Sequence, residues 1–304
     1  MIRGKAQNGK GRQWNRLKPV TEDYLDSIGF PSKGDRRLLD FAIQEKYFEK
    51  IKENFHQLVS QDASDVDIAN SFPSLSLEEK SDGGSDLRRR NAETDNTLGI
   101  SPTIYTAQSG KLSMPIMAMR KIREGLVASA RIDAFALNVY KFIIRTTIPI
   151  RNMESYHPAL LHLLYKIHPI VPLEQSDHHE YLGYYILDLA CRQGNLAAAY
   201  EAKYQFAFRN AKVEAVLKAL IHDNWYMFWN LKSVVTKHEA ALMEWAEERI
   251  RTHALKSFGK SYLTVDKQYL EKAVNCWWEN LADEDTPSWS LNGDIVTIRK
   301  INKK

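Results

Sequence analysis

In LLDFAIQEKYFEKIKENFHQLV (38–59), Leu39, Ile43, Tyr47, Ile51, Phe55 and Leu58 recur at three- and four-residue steps, the spacing of one apolar helix face. Nothing near it in sequence is apolar enough to cover that face, so the region 20–59 reads as a docking helix for a later part of the chain. Residues 60–112 are rich in Ser, Asp, Asn and Gly with few aromatic side chains. Such a stretch cannot bury enough apolar surface to offset ordering entropy of about 1–2 kcal/mol per residue, so it reads as a disordered linker.

Helical periodicity returns at Ser113, which suits an N-cap with Pro115 in the first turn and Ile116, Met119, Ile122, Leu126 and Ala130 along one face. A second helix follows Asp133, carries Phe135, Val139, Phe142 and Ile143, and stops before Pro149. The pattern predicts further helices over 158–167, 178–192, 196–208, 210–222, 225–235 and 238–258. Gly194-Asn195-Leu196 with Tyr200 repeats as Asp223-Asn224-Trp225 with Trp229, one turn and one apolar pair in each copy. Two copies about one helical hairpin apart favour a stack of antiparallel pairs over 113–237.

The pattern changes again towards the C-terminus. HEAALMEWAEERIRTHALKSFGKSY predicts a long helix with Leu242, Trp245, Ile250, Leu255 and Phe258 apolar, then the β-prone YLTV, then two short helices, DKQYLEKAV and CWWENL. Finally SWSLNGDIVTIRK reads as a hairpin around Asn292-Gly293, a pair suited to a type I′ turn. That turn pairs Trp289 with Val296 and Leu291 with Asp294, placing Trp289, Leu291, Val296 and Ile298 on one face. Helix, strand, two helices and a two-stranded wing is the order of a winged helix. The fold class is therefore an all-α, TPR-like solenoid of helix hairpins followed by a winged helix over 238–304, whose end is a basic tail.

Composition adjusts this picture in three ways. The net charge of +4 suits weak contact with nucleic acid or an acidic partner but also an ordinary solvated surface. Cys191 and Cys276 both fall within apolar helical patterns and read as small buried hydrophobes, with no disulfide framework. No run of 18 apolar residues exists, so the expectation is a soluble chain without membrane contact. The basic stretch 1–19 carries no acid and reads as a disordered terminus, with a mitochondrial presequence as its alternative. Arg88-Arg89-Arg90 fits a nuclear-import signal, or simply a solvated charge run.

The stretches HHEYLGYYILDLACRQGNLAAAY, VEAVLKALIHDNWYMFWNLK and ERIRTHALKSFGKSYLTVDKQYLEKAV, in that order, resemble the PCI domain, and within it the GANP-type branch. The resemblance spans 178–275, while 113–150 departs from the family pattern. It implies a non-enzymatic scaffold subunit in nuclear mRNA processing or export, located in the nucleus and also the cytoplasm. The partners implied are another PCI-domain protein and a small acidic subunit of the proteasome-lid type, with RNA or DNA as an additional contact. A proteasome-lid or signalosome-type subunit and a stand-alone nucleic-acid-binding protein are the alternatives.

Candidate chemistry is sparse. His178, His179 and Glu180 lack the HExxH spacing, and adjacent helical side chains diverge by about 100°, so no metal site is expected. No GxSxG occurs, and the glycines of SDGGSD stand among acids that repel phosphate, so neither catalysis nor a cofactor is expected. Trp225, Tyr226, Phe228 and Trp229 at helical spacing read as core before they read as a base-stacking platform. Trp277 and Trp278 are adjacent and must diverge, which leaves one for the core and one for an interface. Arg249, Arg251, Lys256, Lys260, Lys267, Lys272, Arg299 and Lys300 are the candidates for nucleic-acid or partner contact, with Lys256 and Lys260 on one helical face and Arg299 on the outside of the wing.

Overall fold

The structure is a computed structural model that describes residues 36–61, 103–281 and 289–299. It is mostly helical, with a small antiparallel sheet near the C-terminal end. A 3-10 turn, Arg37–Leu39, leads into α1 (Phe41–Gln61). Then come α2 (Thr103–Ala128), α3 (Ala134–Thr147), α4 (Met153–His162), α5 (Gln175–Leu187), α6 (Leu196–Gln205), α7 (Ala211–Ile221), α8 (Trp225–Val234) and α9 (Lys237–Met243). The C-terminal part consists of α10 (Glu247–Ser261), β1 (Thr264–Asp266), α11 (Lys267–Val274), α12 (Trp278–Leu281), β2 (Ser290–Asn292) and β3 (Ile295–Thr297).

The first helix does dock on the later chain, but on a rotated face. Gln44, Tyr47, Phe48, Ile51 and Phe55 are buried, whereas Leu39 and Ile43 are exposed. At its start the Asp40 carboxylate accepts from the backbone N–H groups of Ala42 and Ile43, so Leu39 belongs to the separate turn Arg37–Leu39 and not to the helix face. Phe48 meets Phe135 and Phe142 edge-on, and Phe55 meets Phe142, so α1 is bolted to α3 through aromatic contacts.

The next helix starts at Thr103, upstream of the cap expected at Ser113, and Pro115 lies inside it. An interior proline costs about 3 kcal/mol. Here its ring is buried, and Ala118, Met119, Ile122 and Leu126 follow on the buried side, so tertiary burial outweighs the local penalty. Helix α4 likewise starts earlier than expected, at an Asn152 cap, with Pro158 inside it. The Arg123 guanidinium donates to the Ser155 carbonyl at 2.8 Å and lies 3.4 Å from that of Glu154, the one Pro158 leaves without its i+4 donor.

Most connections obey one rule. Ala130, Arg151, Ala207, Asp223 and Asn275 adopt positive φ, and the N–H of the following residue returns to the carbonyl five residues before it. This is the Schellman arrangement. After Arg151 and Asp223 the next residue is an asparagine, and Asn152 and Asn224 cap the N-termini of α4 and α8. Gly194-Asn195 repeats the device, except that the Asn195 N–H reaches back six residues to Leu189, because α5 ends in a π turn over Asp188–Arg192. The echo read from the sequence is thus a shared helix-end chemistry, with a third copy at Arg151-Asn152.

Buried apolar side chains among the described residues gather into two clusters. The larger runs from Leu38 to Ile250 through α1–α10, and the smaller contains Ala254, Leu255, Phe258, Val265, Leu270, Val274, Trp278, Leu281, Val296 and Ile298. Helix α10 therefore serves both: Ile250 belongs to the first cluster and Ala254 to the second. The helix predicted over 238–258 is interrupted by a 3-10 turn at Glu244–Ala246.

The sheet has three strands in the order β1-β3-β2, so the hairpin is paired along one edge with the YLTV strand. Its register differs from the expected one: Leu291 pairs with Val296 and Asn292 with Ile295, leaving Gly293-Asp294 as the turn. Only Gly293 has positive φ, the requirement of a type II′ turn, where Asn292-Gly293 had suggested type I′. The slip is by two residues, so every side chain keeps its face. Val296 and Ile298 are buried and Trp289 and Leu291 pack against them.

Candidate partner-binding grooves

Aromatic residues of α8 lie at the junction between the preceding helices and the C-terminal part. Phe228 is fully buried in the larger core. Trp225 contacts both clusters and lies 6.1 Å from the Phe258 ring and 6.3 Å from that of His253. Trp229 donates its indole N–H to the Ala273 carbonyl at 2.9 Å. Arg251 donates to the neighbouring Val274 carbonyl at 3.2 Å. Both carbonyls belong to the last turn of α11, which has no intrahelical donor for them.

Beside this bolt lies a groove of about 1220 Å³, walled on one side by Tyr226, Asn230 and Ser233 of α8 and on the other by Gln268, Tyr269 and Lys272 of α11. Positions 226, 230 and 233 share one face of α8 by their i, i+4, i+7 spacing. Trp277 closes one part of the groove and Asp294 another. Tyr226, Tyr269 and Trp277 are 73%, 55% and 44% exposed. The adjacent Trp278 is only 7% exposed and fills the smaller core, so the two neighbouring tryptophans do separate into a core and a surface side chain. A smaller groove of about 430 Å³ lies on the other side of Asp223, lined by Trp245, Glu248, Arg249, Thr252, His253 and Lys256.

The basic candidates do not converge on one patch. Arg249 lines the small groove and donates to the Ala190 carbonyl at 3.3 Å, and Arg251 is engaged on Val274. Lys267 bonds Glu279 at 2.9 Å and lies 3.8 Å from Glu271; the Glu279 hydrogen bond holds its amine above the usual lysine range. Arg299 donates to the Gly259 carbonyl at 2.6 Å, near Lys260. Lys256, Lys260 and Lys272 are exposed and make no hydrogen bond or ion pair among the described residues. Lys300 lies outside the described residues, as do 1–19, the arginine triplet at 88–90 and the tail.

Sequence reasoning missed Tyr269 and took Tyr226 for core. The signal was present in α11, where Leu270 and Val274 are buried and define the inner face, so a large ring at 269 beside Gln268 and Lys272 has to point outward. Cys276 also departs from expectation, being half-buried at the groove, while Cys191 is fully buried and its thiol is pushed up to about 12.

The two histidines set aside as metal ligands face different neighbours. His178 stacks on His168 at 4.0 Å, while His179 stacks on Phe208 at 4.5 Å with its Nε2 2.9 Å from the Arg209 carbonyl oxygen. No group of three potential metal ligands occurs among the described residues. No described helix is long and apolar enough to cross a membrane. No protein-family model matches the chain, and no curated protein is significantly similar to it.

Proposed function

We propose that the chain is a non-enzymatic scaffold subunit of the PCI type, a helical-repeat stack ending in a winged helix, that assembles a complex with a second PCI-domain protein and a small acidic subunit in nuclear mRNA processing or export. One observation carries the reading: the C-terminal order α10, β1, α11, α12 and hairpin, in which β1 pairs with β3 and the sheet and helices enclose one small core. That unit is fixed to the stack by Trp225, Trp229 and the shared helix α10, which suits a rigid scaffold.

The test is affinity purification from cells expressing the tagged full chain, followed by mass spectrometry. A PCI-domain protein together with a small acidic protein is the expected result, and recovery of neither overturns the proposal. A second reading, nucleic-acid binding, is favoured by Lys256 and Lys260, which stand four residues apart on α10, exposed and unpaired among the described residues.

A further inference from the structure

We infer that the stacked pair His168 and His178 is an acid-released latch on the connection between α4 and α5: proton uptake by the two rings frees residues 168–174 from the helices around them. His168 stands where a π turn, Leu163–Ile167, ends, and His178 lies in the first turn of α5. The rings are 4.0 Å apart and 11° from parallel. His168 Nδ1 accepts the Leu173 N–H at 3.0 Å, so in this form that nitrogen carries no proton and Nε2 does. Few other bonds hold the connection. Pro169 and Pro172 have no N–H, and the N–H groups of Ile170 and Val171 both return to the Ile167 carbonyl. Leu173 is buried in the larger core, and its amide ties the second half of the connection to the first.

Protonation acts against both contacts. A proton arriving on His168 has only Nδ1 to occupy, and an N–H there faces the Leu173 N–H with no acceptor between them. A proton on each ring sets two like charges at stacking distance in a half-buried place. No described carboxylate is paired with either ring. On α5, Asp177 is held by Lys141 and Arg145, and Glu180 by Arg145 and the Tyr184 hydroxyl. Glu174 is exposed and makes no ion pair among the described residues. Behind His178 stands the Phe206 ring, met in turn by Tyr165, and Lys203 near the end of α6 is paired with Glu214. On the π turn, Lys166 acts on His162. His179 keeps its Nε2 at the Arg209 carbonyl in either charge state, so once protonated it adds charge of the same sign. Burial first, then the charges of His168 and His179, lowers the pKa of His178. A base whose folded pKa is depressed contributes stability that is complete above its ordinary value of about 6.5 and is lost as pH falls below it. The latch is therefore shut at neutral pH and released by acid.

The inference is independent of the scaffold reading. The test is nuclear magnetic resonance of the full chain labelled with 15N at histidine and leucine, across the range from about pH 7.5 to about pH 5 in which histidine takes up its charge. His168 should be the Nε2–H tautomer at the upper end. The Leu173 amide, corrected for the intrinsic effect of pH on exchange, should exchange at least about fivefold faster at the lower end, as for one hydrogen bond lost. Leucine amides within α7 should not change. His168→Asn offers an acceptor in place of Nδ1 that takes up no proton, and should keep Leu173 protected at both ends of the range. His178→Phe keeps a stacked ring without the charge and should narrow the difference. Should either variant fail to fold by circular dichroism, the tautomer and the Leu173 exchange of the unaltered chain still decide. A proton on Nδ1 of His168 at neutral pH, a Leu173 amide indifferent to the titration of His168, equal acceleration of the α7 amides, or an undiminished difference in His168→Asn would each overturn the latch.

Discussion

The indole N–H of Trp229 sits 2.9 Å from the carbonyl oxygen of Ala273, joining α8 to the last turn of α11. Ala273 is one residue from the end of that helix, so no backbone donor replaces the indole. Trp229→Phe keeps the ring but deletes the donor, and should lower stability by about 1–2 kcal/mol, the cost of leaving a partly buried carbonyl unpaired. Urea unfolding followed by fluorescence measures this. An unchanged midpoint would show that the bond is not what fixes α8 to α11.

Gly125 in α2 faces Leu38: a Cβ there would lie 2.9 Å from the Leu38 Cβ and 3.0 Å from its carbonyl oxygen. That carbonyl also accepts from Gln44, which bonds Ser129 and is in turn held by Arg131, a buried guanidinium between the Phe41 and Phe135 rings. Backbone cannot yield as a side-chain tip can. Gly125→Ala should therefore destabilise by about 1–3 kcal/mol through overpacking and loosen α1 before the rest. Hydrogen exchange should show faster exchange in Phe41–Gln61 with α5–α8 unchanged.

What could be read from sequence was what local chemistry and periodicity dictate. The helix start at Asp133, the asparagine turns, the apolar face of the hairpin and the split between Trp277 and Trp278 all follow from spacing and side-chain type. The misreadings arose where tertiary packing decides. Pro115 looked like a helix start because its lost hydrogen bond is a local signal, whereas its buried ring is not. Asn292-Gly293 looked like the turn because the dipeptide suits type I′, whereas the paired strands place the turn one residue later, at Gly293-Asp294, with β3 held between β1 and β2. The groove was hidden for the same reason, since Tyr226 and Tyr269 meet only through packing of α8 on α11.

Asp188 is fully buried at the start of the π turn and accepts hydrogen bonds from Tyr156 at 2.8 Å, Arg192 at 2.6 and 2.7 Å and Gln193 at 3.0 Å, with His157 Nδ1 at 3.0 Å. Burial alone would raise its pKa, but the bonds from His157, Arg192, Gln193 and Tyr156 outweigh burial and hold the carboxyl well below the usual range. A depressed folded pKa contributes stability that is complete above the unfolded value of about 4 and is lost as pH falls below it. Asp188→Asn should cost about 3 kcal/mol at neutral pH, as for one partner removed from a buried pair. It should also flatten the fall of stability between about pH 4 and pH 2, which thermal unfolding across that range would reveal.

The nucleic-acid reading makes a demand that the scaffold reading does not. Lys256 and Lys260 are exposed on α10 and free of described partners, so their charge is available to phosphates, whereas Arg249, Arg251, Lys267 and Arg299 already hold carbonyls or carboxylates. If duplex DNA binds through α10, removing one phosphate contact lowers the slope of log affinity against log salt by about 0.9. Lys256→Ala and Lys260→Ala should each do so, and the double variant should lose about twice as much, because the two contacts are separate. Lys272→Ala, on α11 at the aromatic groove, should leave the slope as it is, since the lining there carries more carboxylates than lysines. Fluorescence anisotropy of a labelled duplex at several salt concentrations distinguishes these cases. A slope that responds to Lys272 and ignores Lys256 and Lys260 would move the contact from α10 to the groove.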